Sequence, residues 1–181
     1  MKSETQELTW QFFPRNVGSN DNLNEVLKVF QAAYPDMRSE ENQGQESNLA
    51  LHKLGQGLEQ IGFAVETGKK ENQKISIPVL YKEKGQPQKS FYADAYNAVT
   101  KTVIEVEAGR AIANNQVLKD FFEACVMDRV EYLVIAVRNV YVAGKHHTRS
   151  DDFRKSYEFF DTFFTSNRVQ IPLKAILLIG Y

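Results

Sequence analysis

Two short, uninterrupted apolar runs constrain the fold of this 181-residue chain most strongly, because each suits a β-strand that is buried on both faces. The runs extend from Tyr132 to Val137 and from Ala175 to Ile179. Both are far shorter than the roughly 20 apolar residues that a membrane-spanning helix needs. We therefore expect a sheet with helices packed on it and no membrane association. The polar opening of the chain, which lacks an apolar leader, favours a cytoplasmic location.

Composition is that of a globular protein, with 43% hydrophobic and 25% charged residues. We predict a single domain over residues 1–181, with residues 1–45 as an N-terminal helical extension. The formal net charge of -1 excludes a strongly basic nucleic-acid coat protein and an acidic disordered tail. Affinity for an anion must therefore come from local clustering of basic residues. The single cysteine, Cys125, lies in an apolar helical pattern and is interpreted as a buried structural thiol.

Apolar residues at helical spacing predict four amphipathic helices. They cover Leu23 to Tyr34, Leu51 to Ile61, about Arg110 to Met127, and Phe153 to Phe164. Pro35 and Gly62 mark the ends of the first two helices, and the polar segment between them, Met37 to Gln45, reads as a surface linker.

Between the second and third helices the apolar period changes to two, which is typical of β-strands. Alternation over Ile75 to Tyr81, a turn at Lys84 to Pro87, and two further alternating segments ending at Ala95 and Glu107 predict a three-stranded antiparallel meander. Pro78 places the first strand at an edge. Together with the two buried strands, this order of elements predicts an α/β fold with a mixed sheet flanked by helices.

Three acidic residues of the meander carry the strongest chemical signal. Alternate residues of a strand share a face, so Glu105 and Glu107 project from the same side. Asp94 on the neighbouring strand has the same parity, and we expect it opposite or diagonal to Val103, within roughly 8 Å of Glu105. Such a patch suits Mg²⁺, with Mn²⁺ as a substitute, because hard cations prefer carboxylate oxygens. The alternative interpretation is a solvated strand face on which the acids merely decorate the surface.

The spacing of Asp94, ten intervening residues and then Glu105-Val106-Glu107, within a hairpin that a helix follows, resembles the PD-(D/E)xK nuclease superfamily of restriction-endonuclease-like folds. The resemblance covers about Leu51 to Val137. It implies that Asp94 and Glu105 bind the divalent metal, joined by the backbone carbonyl of Val106. Glu107 stands where the superfamily usually has lysine, so the chain resembles its Glu-x-Glu variant.

Some members of the superfamily move the missing lysine onto the following helix, and here Lys119 lies on such a helix, three residues from Gln116 on one face. Lys119 is accordingly a candidate source of positive charge beside the scissile phosphate, with an exposed surface lysine as the alternative. The superfamily also tends to place an acid on the helix before the meander, where Glu46 and Glu59 are candidates, although solvated helical glutamates explain both.

Basic residues near the meander are candidate nucleic-acid contacts. Arg110 and Gln116 follow the acids directly, and Lys82 and Lys84 belong to a group of six lysines around the first hairpin. That group is Lys69, Lys70, Lys74, Lys82, Lys84 and Lys89, opposed by Glu71 and Glu83. A second basic group comprises Lys145, His146, His147, Arg149, Arg154 and Lys155. Solvated side chains remain the alternative for both groups.

The function that these residues favour is a metal-dependent endonuclease, acting most plausibly on DNA. Its catalytic residues would be Asp94, Glu105, Glu107 and Lys119, with Glu107 orienting the attacking water or accepting its proton. The alternatives are a catalytically inactive member of the same fold, serving nucleic-acid binding or protein assembly, and a domain unrelated to nucleases. Cutting of both strands would imply a homodimer.

Overall fold

A six-stranded mixed sheet forms the centre of the computed structural model, which describes residues 7–39, 47–109, 111–112, 114–143 and 148–181. Three parallel strands stand side by side in it, namely β6 (Thr102–Glu107), β7 (Tyr132–Val137) and β10 (Ala175–Gly180), with β7 in the middle. Antiparallel strands flank them: β1 (Thr9–Phe13) pairs with β10, while β5 (Ala95–Asn97) pairs with β6 and with β2 (Ala64–Val65). The predicted mixed α/β architecture is confirmed.

Helices cover both faces of this sheet. In the described part of the chain they are α1 (Asp21–Met37) and α2 (Ser47–Gln60) on one face, and α3 (Gln116–Val126) and α4 (Asp152–Ser166) on the other. Strand alternation divides the core between them, so that Leu177 packs with α1 and α2 whereas Leu178 packs with α3 and α4. The two apolar runs are strands buried on both faces, as the sequence predicts. No helix among the described residues is long and apolar enough to cross a bilayer.

The antiparallel meander is divided between two sheets, which corrects the prediction of one continuous meander. Strands β3 (Ile75–Tyr81) and β4 (Pro87–Ala93) form a separate hairpin, and the chain then enters the six-stranded sheet after Asp94. The backbone pairing of β5 with β6 ends at Ala95 and Ile104. Beyond this pair, the Val106 N–H donates to the side chain of Asp94 and not to a backbone carbonyl of β5. A further two-stranded pair consists of β8 (Tyr141–Ala143) and β9 (Thr148–Ser150).

The N-terminal region is built into the fold. Strand β1 is an edge strand of the main sheet, and one face of α1 is buried against it and α2, including Leu23, Val26 and Phe30. The prediction of residues 1–45 as a helical extension misses this strand, because five residues at a sheet edge leave almost no periodic signal. Residues 40–46, which include most of the predicted linker, lie outside the described residues.

Among the helix boundaries that differ from the prediction, two have a clear cause in the structure. Helix α1 continues through Pro35 to Met37, because the buried side chains of Tyr34 and Met37 hold its last turn against the core. Helix α3 begins at Gln116 and not near residue 110, because Asn115 adopts a left-handed backbone conformation with φ of 55°. Local propensity predicts the helices themselves, while packing and backbone geometry set their ends.

We predict that the turn between β5 and β6 depends on Asn97. Its buried side chain accepts the N–H groups of Val99 and Thr100 at 2.9 and 3.0 Å and donates to the Ile61 carbonyl at 3.1 Å. Asn97→Ala should lower the free energy of unfolding by about 1–3 kcal/mol, because it removes three hydrogen bonds to partly buried backbone groups. Urea denaturation followed by circular dichroism measures this loss.

The matched control is Val99→Ala in the same turn, since the Val99 side chain is 91% exposed. Its free energy of unfolding should stay within about 0.5 kcal/mol of the parent value. Equal stability of Asn97→Ala and Val99→Ala would contradict the role given to the Asn97 side chain.

Candidate active site

The acidic residues of the meander face α3. Ile104 and Val106 pack into the core beneath α1 and α2, so Glu105 and Glu107 project from the opposite side of β6. The pairing of Ala95 with Ile104 sets Asp94 across from Glu105 and therefore diagonal to Val103, which is one of the two positions that the sequence predicts. In this register the negative charge of Asp94 acts on Glu105 and raises the pKa of its carboxyl group.

Hydrogen bonds fix two of these carboxyl groups. Asp94 Oδ2 accepts the Val106 N–H at 2.7 Å, and the side chain of Glu107 is hydrogen-bonded to that of Asp120 on α3. Asp120 is only 4% exposed, and among the described residues its Oδ2 atom has no hydrogen-bond partner. The structure therefore gathers four carboxyl groups, which we call the acid cluster: Asp94, Glu105, Glu107 and Asp120.

The acid cluster is shielded from solvent, which overturns the alternative of a solvated strand face. Glu105 is 9% exposed, and Glu107 is only half-buried at the end of β6. Lys119 lies beside the cluster, with Nζ 3.5 Å from Asp120 Oδ1 and 3.5 Å from Glu123 Oε2. Its side chain is about half exposed, so its amino group borders the cluster at the solvent side.

Loss of hydration raises the pKa of every member of the cluster. Burial, helped by Glu66 and Asp120 and opposed by the Val106 hydrogen bond, raises the pKa of Asp94 to about 7. Burial and then the neighbouring Asp120 raise the pKa of Glu107 to about 8. The pKa of Glu105 is raised well above its usual value by burial and by Asp94. At neutral pH the cluster therefore retains protons that exposed carboxyl groups would release.

Burial also raises the pKa of the Asp120 carboxyl, against the opposing effect of Lys119. Burial lowers the pKa of Lys119 itself, but its acidic neighbours, Asp120 and Glu123 first, outweigh this effect and raise it. Lys119 therefore stays charged next to a group of carboxyls that it does not fully neutralise.

The donor set of the cluster fits a hard divalent cation in type and in charge. All its side-chain donors are carboxylate oxygens, which repel one another when ionised, and the buried Asp120 Oδ2 finds no partner in the part of the chain that the structure describes. Within the described residues, however, no three acidic, histidine or cysteine side chains already stand in a ligand arrangement. Asp94 is turned towards the Val106 amide and Glu107 towards Asp120, so these groups must reorient to bind an ion together.

Some predicted site residues lie away from the cluster. Lys82 and Lys84 are exposed at the tip of the hairpin, separated from Asp94 by the length of β4, which is about 20 Å. Glu59 is exposed on α2. Gln116 is the half-buried first residue of α3, one turn before Asp120. Three predicted candidates fall outside the described residues, and they are Arg110, Glu46 and the segment 144–147 with its histidines.

Sequence reasoning missed two acidic residues. Asp120 occupies a core position of α3 together with Val117, Phe121 and Ala124, and a carboxylate on the apolar face of an amphipathic helix was the available signal. Glu66 follows the two-residue strand β2, and its peptide N–H donates to the Asp94 carbonyl at 2.7 Å. Burial raises the pKa of Glu66, and its charge raises that of Asp94. No pattern in the sequence around Glu66 pointed to this proximity.

Cys125 is half-buried, and burial raises the pKa of its thiol to about 11. A thiol of this kind remains protonated at neutral pH and is a poor nucleophile. This agrees with the interpretation of Cys125 as a structural residue.

Comparison with known proteins finds no matching family model and no matching curated protein. Among solved structures, the chain is similar to the restriction endonuclease BglII complexed with a DNA 16-mer, with a TM-score of 0.48 and 11% identity over 97% of this chain and 78% of that one. Free BglII gives a TM-score of 0.46 and 10% identity over 97% and 79% of the two chains.

We predict that the acid cluster makes the stability of the protein depend on pH. In the absence of divalent cations, the free energy of unfolding should fall between about pH 5 and about pH 8. The sign follows because the carboxyl groups have higher pKa values in the folded than in the unfolded protein, so the folded state binds more protons. The stabilisation is complete below the pKa values of the unfolded chain and is lost as pH rises through the folded-state values of about 7 and 8. Urea denaturation in EDTA at several pH values measures the slope.

Asp94→Asn should flatten this dependence, because an amide has no proton to lose and still accepts the Val106 hydrogen bond. Relative to the parent, the variant should gain about 1–3 kcal/mol between about pH 5 and pH 8. Asp36→Asn, at an exposed position on α1, is the control and should follow the parent curve. Parallel curves for the parent and Asp94→Asn would show that Asp94 is not buried as described.

Proposed function

We propose that this protein is a metal-dependent nuclease that hydrolyses phosphodiester bonds, with DNA as its substrate. The observation that carries the proposal is the acid cluster itself, in which desolvated carboxyl groups from β6, the β4–β5 junction and α3 meet beside Lys119. A fold loses stability by burying carboxylates in this way unless something compensates for it. The resemblance of the Asp94, Glu105-Val106-Glu107 spacing to PD-(D/E)xK nucleases supports the same reaction.

In this proposal Asp94 and Glu105 hold Mg²⁺, or Mn²⁺ in its place, together with the Val106 carbonyl. The bound cation supplies polarisation of a phosphate oxygen and a lowered pKa for a coordinated water. For Glu107 to accept the proton of the attacking water at a carboxylate oxygen, the proton of its hydrogen bond with Asp120 must reside on Asp120, which then orients Glu107 as the donor of that bond. Lys119 places positive charge next to the phosphate, where negative charge develops.

An inactive nuclease-like protein is the second candidate. The observation in its favour is that Glu107 replaces the usual strand lysine and is bound to Asp120, while no ready ligand arrangement exists in the described residues. This candidate would bind nucleic acid or a protein partner without cleaving a bond. Its distinguishing property is the absence of metal-dependent turnover.

We predict cleavage of plasmid DNA in the presence of Mg²⁺ or Mn²⁺. Asp94→Asn and Glu105→Gln should each reduce the rate at least ~100-fold, because they remove charge that the cation and the transition state require. Gel electrophoresis of supercoiled plasmid over time gives the rates. Glu25→Gln is the control, since Glu25 forms only an exposed ion pair with Lys28.

Thermal unfolding in the presence of Mg²⁺ distinguishes a loss of metal binding from a loss of folding. The midpoint of thermal unfolding of the parent should rise with Mg²⁺ concentration, and this rise should disappear in Asp94→Asn. If neither cation supports cleavage and neither shifts the midpoint, the inactive candidate is correct and the nuclease proposal fails.

The hairpin formed by β3 and β4 is the proposed contact surface for the phosphate backbone. Lys82, Lys84 and Lys89 are exposed on it, and Lys74 and Lys89 lie over the rings of Tyr92 and Phe91 at 4.4 and 5.1 Å. The hairpin leads directly to Asp94, so a duplex lying along it would also reach the acid cluster.

We predict that the double variant Lys82→Gln/Lys84→Gln binds duplex DNA more weakly and with a smaller dependence on salt. Each lost phosphate contact lowers the slope of log K against log salt by about 0.9, so the slope should fall by up to about 2. Fluorescence anisotropy with labelled duplex in EDTA measures both quantities without cleavage. Arg15→Gln/Lys28→Gln, with the same change in charge at two exposed ion pairs outside both basic groups, should retain the parent slope.

A further inference from the structure

A groove of about 850 Å³ lies between α2 and the segment that follows β2. Its volume falls within the range of about 300–1,000 Å³ that ligand pockets commonly span. Its lining includes Leu49, Gly55, Gln56, Val65, Glu66 and Thr67. Glu66 connects the groove to the acid cluster, because its peptide N–H is bonded to the Asp94 carbonyl and its charge acts on the Asp94 carboxylate.

Gly55 is the feature of the groove that folding does not explain. Glycine is unfavourable in the interior of a helix, and α2 contains two of them. Gly57 has a structural reason, because a Cβ there would meet Val29 Cγ1 at 2.7 Å where α1 and α2 pack together. At Gly55 a Cβ would meet no heavy atom within 4 Å. The absence of a side chain at Gly55 therefore leaves the groove open, and no packing contact within the protein requires it.

The chemistry of the groove suits an uncharged ligand with a flat apolar face and polar edges. Leu49, which is 48% exposed, and Val65 provide apolar surface, while Gln56 and Thr67 provide an amide and a hydroxyl. Glu59 and Glu66 line the same groove together with His52 and Lys53, so the groove offers a phosphate no excess of positive charge.

The one lysine of the groove does not offset these acids. Lys53 Nζ donates to the Asp36 carbonyl at 2.5 Å and is thereby directed towards α1. A ligand that enters the groove must accordingly keep its negative charge outside it.

We propose that this groove binds the sugar and base of a nucleotide adjacent to the scissile phosphate. This assignment rests on the proposed function, which places that phosphate at the acid cluster. The strand would pass Glu66 with its phosphate at the cluster and its neutral base against α2, where Gly55 allows close approach to the helix backbone. A free mononucleotide carries the same base, but its terminal phosphate has two negative charges and no cation site within the groove.

The test is Gly55→Leu, which fills the groove without opposing the helix. Leucine favours a helix more than glycine does, and the added Cβ meets no atom, so the midpoint of thermal unfolding should equal or exceed that of the parent. Binding of a fluorescein-labelled DNA oligonucleotide is measured by anisotropy in EDTA, so the readout does not depend on cleavage. The dissociation constant of Gly55→Leu should be at least ~10-fold higher, a loss of ~1.4 kcal/mol.

Gly18→Leu is the matched control, because a Cβ at Gly18 also meets nothing within 4 Å and Gly18 does not line the groove. It should bind the oligonucleotide like the parent, and unlabelled mononucleotide should not compete in either protein. Equal affinities of Gly55→Leu and the parent would overturn the proposal, as would competition by mononucleotide or a parent that binds no oligonucleotide. A parent that binds but never cleaves, with binding still lost in Gly55→Leu, would refute the nuclease activity and leave the groove assignment standing.

Discussion

Strand β6 runs between β5 and β7 with both of its faces covered, and this enclosure removes its carboxyl groups from bulk water. Asp120 enters the same space from α3, and Asp94 closes it from the end of the hairpin. The charged forms of these acids are disfavoured there, so they hold protons or bind one another. The stability of the sheet and the unusual electrostatics of the site thus have one cause, which is the central position of β6.

The sequence predicted the parts of the fold that hydrophobic periodicity controls. The strands beginning at Tyr132 and Ala175 were located to within a residue, and four helices were recognised from their apolar faces. Chemistry-bearing residues on β6 were identifiable because alternation fixes which side each residue faces. Burial on both sides of the sheet then determined that Glu105 is not a solvated surface acid, while Glu107 is half-buried and bonded to Asp120.

Features set by long-range contacts were not predictable in the same way. The relative position of Asp94 and Glu105 depends on the turn that Asn97 organises, and the sequence alone left Asp94 either opposite or diagonal to Val103. Glu66 reaches Asp94 only through the pairing of a two-residue strand with β5. Asp120 required knowledge of which face of α3 meets the sheet, since a single carboxylate among apolar residues has several interpretations.

The division of the meander at Asp94 has a mechanical consequence. The hairpin shares no ladder with the main sheet, and the bond from the Asp128 N–H to the Pro78 carbonyl, at 2.8 Å, tethers it to the end of α3. Asp94 joins the hairpin to the main sheet, and its carboxylate accepts the Val106 N–H of β6. The position of the hairpin is therefore coupled through β4 to the residue whose carboxylate is bonded to β6.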